Sequence, residues 1–108
     1  MPNGKSKGIV YVINDSGHDF TAAEEYGLIE VMTQGTIDKF NLTSMHRVFE
    51  PFLAESKPGD YLVQSGPAVM AAVACSMFAA KHGCLNLLLW KADREKGDHY
   101  VLRKLVFK

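Results

Sequence analysis

Runs of β-branched and aliphatic residues alternate along this chain with polar turns and with stretches of helical period. The first run, Gly8-Ile-Val-Tyr-Val-Ile13, is continuous rather than alternating. That pattern predicts a strand covered on both faces. Leu28–Thr33, Tyr61–Gln64, Leu85–Lys91 and Tyr100–Phe107 predict four more strands. Thr21-Ala-Ala-Glu24 has the form of a capping box and predicts a short helix through Tyr26, stopped by Gly27. Leu42, Met45, Val48, Phe49, Phe52 and Leu53 recur at three- and four-residue spacing, the mark of an amphipathic helix over residues 43–56 with Thr43 or Ser44 as its N-cap. Pro51 falls inside it and predicts a bend or two short helices in series. From Ala68 to Ala80 the residues are small or apolar almost all round, with Ser65 or Gly66 as the expected cap, Pro67 in the first turn, and Lys81-His82-Gly83 supplying a cationic last turn and a glycine stop. Such a helix is buried on more than one side, against the sheet and against a neighbouring helix or a second subunit.

Strand and helix alternate, which predicts a small open α/β sheet, mostly parallel and Rossmann-like, with a C-terminal antiparallel edge strand. Arg103 and Lys104 inside the last strand suit an edge position. The connection between the first two strands is near the lower limit for a parallel crossover; parallel pairing is preferred and antiparallel stays open. The strand order is not derivable, although adjacency of the first and third strands is expected. A chain of 108 residues has room for one core, so residues 8–108 form a single domain preceded by a polar tail over residues 1–7.

Charge narrows the function classes. The net charge is zero, with no basic face evident, which argues against a nucleic-acid binder but leaves room for a small anionic ligand. Two cysteines, Cys75 and Cys84, stand outside any CxxC or Cys/His cluster and read as reduced core thiols. No window reaches the length of a membrane span and the start of the chain lacks a signal-peptide run, so a cytoplasmic, non-membrane protein is expected. The histidines have no metal-ligand spacing, and no metal site and no cofactor is expected.

The chemistry, where there is any, gathers in three turns after strand ends. They are Asn14, Asp15, Ser16, Gly17, His18 and Asp19; Gln34, Gly35 and Thr36; and Gln64, Ser65 and Gly66. Ligands of open α/β sheets bind beyond the carboxyl ends of the strands. Parallel pairing of the first three strands brings these turns to one rim, with the amides at the start of the Ala68 helix pointing into it. The expected function is the binding of a nucleotide or other small polar anion, by a homodimer. The same residue types are also what short turns need for their own geometry. A hydrolase or lyase using His18 and Asp19 for proton transfer is one alternative, and an inhibitor or interaction module acting on a host enzyme is another. Gln-Ser-Gly-Pro around Ser65 is not a nucleophile elbow, and the chain has neither GxxxxGK[ST] nor GxGxxG. Trp90 and Tyr100 are expected to pack the sheet rather than stack a base.

Gly17-His-Asp-Phe20 with Glu25-Tyr-Gly27, then Gln34-Gly35, Gly59-Asp-Tyr-Leu62 and Ser65-Gly66, resembles small uncharacterised α/β proteins encoded by tailed bacteriophages. The likeness covers nearly the whole globular part. It implies a bacterial host cytoplasm and a role in phage–host conflict, and it carries over no catalytic residue.

Overall fold

The continuous apolar run that opens the domain becomes an inner strand. The structure, a computed structural model, describes residues 8–107; the polar tail expected over residues 1–7 lies outside the described residues. Strand β1 (Ile9–Val12) pairs in parallel on both sides, with β2 (Leu28–Val31) and with β3 (Tyr61–Val63). Strand β4 (Cys84–Lys91) continues in parallel from β3, and β5 (His99–Val106) closes the sheet antiparallel. The order is β2-β1-β3-β4-β5. The mostly parallel open sheet with an antiparallel edge is therefore the one the residue pattern predicts. β1 and β2 are parallel, and β1 neighbours β3.

Because the chain winds outward from β1 in both directions, both faces of the sheet are covered. The 3-10 helix Thr21–Glu25 lies on one face, where Phe20 and Ala23 pack with Val10, Val12, Val63, Leu88 and Tyr100. Helices α1 (Leu42–Ala54) and α2 (Ala68–His82) cover the other, where Met45, Phe49, Met70, Ala74 and Phe78 meet Tyr11, Ile13, Leu62 and Leu85. Alternate residues of β1 thus serve opposite cores, as a period of two requires. Burying each of Phe49, Phe78, Leu62 and Met70 is worth about 1.5–3 kcal/mol.

Local details differ from the pattern-based reading at three helix starts. Thr21 does not cap its helix: the element is a 3-10 helix that begins at Thr21, and the Asp19 carboxylate takes both the Thr21 amide and hydroxyl. The cap of α1 is Asn41, whose side chain accepts from the Ser44 amide at 3.0 Å, not Thr43 or Ser44. At α2 neither Ser65 nor Gly66 caps; Pro67 occupies the N-cap, and Ser65 Oγ is used elsewhere. One continuous α1 runs through Pro51, so the chain does not break into two helices. Pro51 stands in the last turn on an exposed face, where water can serve the carbonyl it leaves unbonded. Gly83 ends α2 at φ 71°, donating to Ala79 O, in the position the pattern assigns to it. No helix among the described residues is long and apolar enough to cross a membrane.

Candidate functional site

Parallel pairing of β1, β2 and β3 places their carboxyl ends on one rim, and side chains knit the three following turns together. The Asn14 amide N–H donates to Ser65 Oγ at 3.1 Å, tying the first turn to the third. Asn14 Nδ2 donates to Thr33 Oγ1 at 2.9 Å and to Gly35 O at 3.1 Å, tying the first to the second. Thr33 Oγ1 spends its own proton on Ile13 O, which fixes it as an acceptor for Asn14 and settles which way the Asn14 amide faces. Asp15 and Gln34 form a parallel bridge, with Asp15 N donating to Thr33 O and Gly35 N to Asp15 O.

Asn14 is therefore the keystone of the rim, and it is only 1% exposed. Its Oδ1 is buried without a hydrogen-bond partner among the described residues. It lies against Gly66, where a Cβ would come within 2.6 Å of Asn14 Cβ and 2.9 Å of Oδ1. Gly66 also holds φ +83°, a conformation that side chains disfavour. Both facts require glycine there.

Among the described residues, three clefts border the Ser65–Pro67 turn, one of which, of about 430 Å³, runs from Gln64, Ser65 and Gly66 along Ala68, Ala72 and Cys75 of α2. The first, of about 800 Å³, lies on the side of the 3-10 helix. His18, Asp19 and Phe20 form one lip, Gln64, Ser65 and Gly66 the base, and Trp90 and Tyr100 the far wall, over a floor of Val63 and Leu88. The wall exists because β4 outlasts β3. Val63, the last residue of β3, pairs with Leu88, and β4 runs on to Lys91, so the β4–β5 hairpin projects beyond the rim. Trp90 and Tyr100 are cross-strand partners on this projection, their rings 4.8 Å apart and edge-to-face. Tyr100 is buried, while Trp90 is 53% exposed. The expectation that Trp90 and Tyr100 pack the sheet thus holds for Tyr100; Trp90 lies against Tyr100, lines the cleft and stays half exposed.

The second cleft, of about 530 Å³, is lined by Asn14, Asp15, Ser16, Gly35 and Thr36 with Ile37, Lys39 and Pro67. The twelve residues singled out from the sequence accordingly divide. His18, Asp19, Gln64, Ser65 and Gly66 meet in the aromatic cleft, and Asn14, Asp15, Ser16, Gly35 and Thr36 in the other. Gly17 and Gln34 line neither of the two.

Protonation in the aromatic cleft follows from its contacts. Hydrogen bonds from the Thr21 hydroxyl and amide hold the Asp19 carboxyl below its usual range, so it is an anion at neutral pH. Burial, and then the Asp19 charge, push the Tyr100 phenol up, so it stays a neutral donor. Ser65 Oγ accepts from Asn14, which leaves its proton to donate outward. Asp19 is engaged with Thr21 and Ser65 with Asn14, and no hydrogen bond joins either to His18 among the described residues. His18 instead meets the Phe20 ring edge-on at 6.3 Å. A base paired with an orienting acid is thus not assembled. The described residues hold no group of three His, Cys, Asp or Glu able to take a metal ion.

Residues 8–103 match the family of phage Pam3 gp32-like proteins. The chain belongs to that family. The match spans the lip of the aromatic cleft, its base and its far wall, so the whole rim is family territory. No curated protein and no solved structure matches the chain. Membership supports a phage origin for this Pam3 gp32-like protein and assigns no chemistry to it.

The sequence reading of this Pam3 gp32-like chain missed the far wall. The signal was present as a mismatch in length. Tyr61–Gln64 is cut short by the Ser-Gly-Pro turn, whereas Leu85–Lys91 is nearly twice as long, and the surplus of an inner strand over its neighbour must project. Lys39, in the second cleft, carried no comparable signal.

Proposed function

We propose that this phage protein is a non-catalytic binder of a small polar ligand of the nucleotide class, held in the aromatic cleft at the carboxyl ends of β1, β3 and β4. One observation carries the reading. The His18–Phe20 and Gln64–Gly66 turns, far apart in sequence, share a single cleft with an aromatic wall. Apolar surface with a few convergent polar groups is the usual make-up of a small-molecule site. Its place outside the strand ends, next to where the strand order reverses between β1 and β3, is where open α/β sheets bind ligands. Proton-transfer chemistry by His18 and Asp19 lacks such support, because Asp19 is committed to Thr21.

Thermal unfolding against a panel of nucleosides, nucleotides and cyclic nucleotides tests the proposal. A ligand at 100 times its Kd stabilises a protein by about 2.7 kcal/mol, a shift of several degrees for a chain of this size. No shift from any member at saturating concentration contradicts the reading. Pairing of two copies through the exposed stripe Ala68, Ala72, Ser76 and Ala80 of α2 belongs to the same proposal. A monomer by sedimentation equilibrium removes the pairing and leaves the cleft untouched.

A further inference from the structure

The charge of the aromatic cleft narrows the ligand. Among the described residues, no lysine or arginine lines it, and the one carboxylate there is that of Asp19, held anionic by Thr21; His18 stands beside it on the same lip. The first residue of α2, whose end would favour an anion, lies outside it: Ala68 lines a neighbouring cleft that shares Gln64, Ser65 and Gly66 with the aromatic one and runs on to Cys75 and Leu85. Lys39 belongs to the second cleft. A phosphate placed beside Trp90 would share the cleft with a carboxylate, with no lysine or arginine there to offset the repulsion. The indole, by contrast, has half its surface free, and a ring face attracts planar or positively charged groups.

From these observations we infer that the ligand is a nucleobase or nucleoside, an uncharged or cationic heteroaromatic ring stacked on Trp90, and not a phosphorylated nucleotide. The inference rests on the proposed function and specifies its ligand. Val63 and Leu88 supply the dry floor beneath the ring. The polar edge of the ring or its sugar meets groups of both kinds: the Asp19 carboxylate accepts from a ring N–H or a hydroxyl, and Ser65 Oγ–H and the Gln64 amide donate to ring nitrogens or carbonyls. Recognition is by stacking and edge hydrogen bonds, the mode proteins use for unpaired bases, without the phosphate contacts that require a basic surface.

Trp90 is the only tryptophan in the chain, so its emission reports on this cleft alone. Adenosine, guanosine, cytidine and uridine, each alongside its 5′-monophosphate, are titrated while tryptophan fluorescence and thermal unfolding are recorded. The expected result is saturable quenching by at least one nucleoside, with its monophosphate weaker by about ten-fold or more. Asp19→Asn should narrow that gap, and Trp90→Ala should abolish the nucleoside-induced thermal shift while circular dichroism stays native. A monophosphate that quenches as tightly as its nucleoside, or more so, overturns the inference and leaves the cleft as the binding site. Thermal stabilisation with unchanged Trp90 emission puts the ligand elsewhere on the rim and also overturns it. Neither quenching nor stabilisation by any compound overturns both the inference and the proposed function.

Discussion

At the scale of single residues, the rim depends on a side chain that is polar and almost wholly buried. Asn14 satisfies its donors on Thr33 and Gly35 and packs its carbonyl against Gly66. A methyl group on residue 66 would collide with that amide and sit on a positive-φ backbone. Gly66→Ala is therefore expected to lower stability by about 1–3 kcal/mol, measured by urea denaturation. Asn14→Ala is expected to cost a similar ~1–3 kcal/mol, because Thr33 Oγ1 loses its donor in a buried place and the link to Gly35 O is lost with it. A wild-type midpoint for either variant would mean that the turns are not knitted as described. The residues involved were legible in the sequence as turn formers and as site candidates alike; the partnership was not. Nothing local in Asn14-Asp15 points to Ser65, which is 51 positions away and reached only through the pairing of β1 with β3.

At the scale of elements, strands and helices followed from hydrophobic period, and what the sequence withheld was how their ends are finished. Ser, Thr, Asn and Asp compete for the same amides, and Asp19 and Asn41 take the places of Thr21 and Ser44, whereas Ser65 Oγ is drawn off to the distant Asn14 amide and α2 has no side-chain cap. The carboxyl ends of α1 and α2 are fastened together on the opposite rim. Ser56 Oγ donates to Leu53 O at 2.6 Å, so it accepts from His82 Nε2–H at 2.8 Å, and the His82 ring packs on Phe78 at 4.5 Å. Burial, and then the Lys81 charge, press the His82 pKa below its ordinary 6.5. The unfolded chain therefore takes up this proton at a higher pH than the folded one does. The resulting stability is whole above pH 6.5 and is lost as the pH falls through the lower, folded value. Urea midpoints should drop between about pH 7.5 and about pH 5.5, and His82→Gln should be less stable at the upper pH yet flatter between the two. An equal slope in both proteins would exclude His82 as a source of the acid sensitivity.

For the whole molecule, the sheet order decides which distant turns become neighbours. The sequence favours parallel crossovers without excluding an antiparallel first pair, and on that reading brings three polar turns to a shared rim, but it does not disclose that the rim divides around Ser65-Gly66-Pro67, with the aromatic cleft on one side. That division arises from the excess length of β4 over β3, which lifts Trp90 and Tyr100 above the strand ends. It also moves the centre of the proposed site, from the N-terminus of α2 to the space between His18, Ser65 and Trp90. The central claim is that this space, and not another part of the surface, takes the ligand. A titration of 15N-labelled protein with the nucleoside that quenches Trp90 most strongly, followed by two-dimensional amide spectra, tests it most directly. The account predicts shifts confined to the amides of residues 18–20 and 64–66 and to the Trp90 indole N–H; shifts centred on residues 35–39 or on the β2 edge, with the Trp90 signal unmoved, would contradict it.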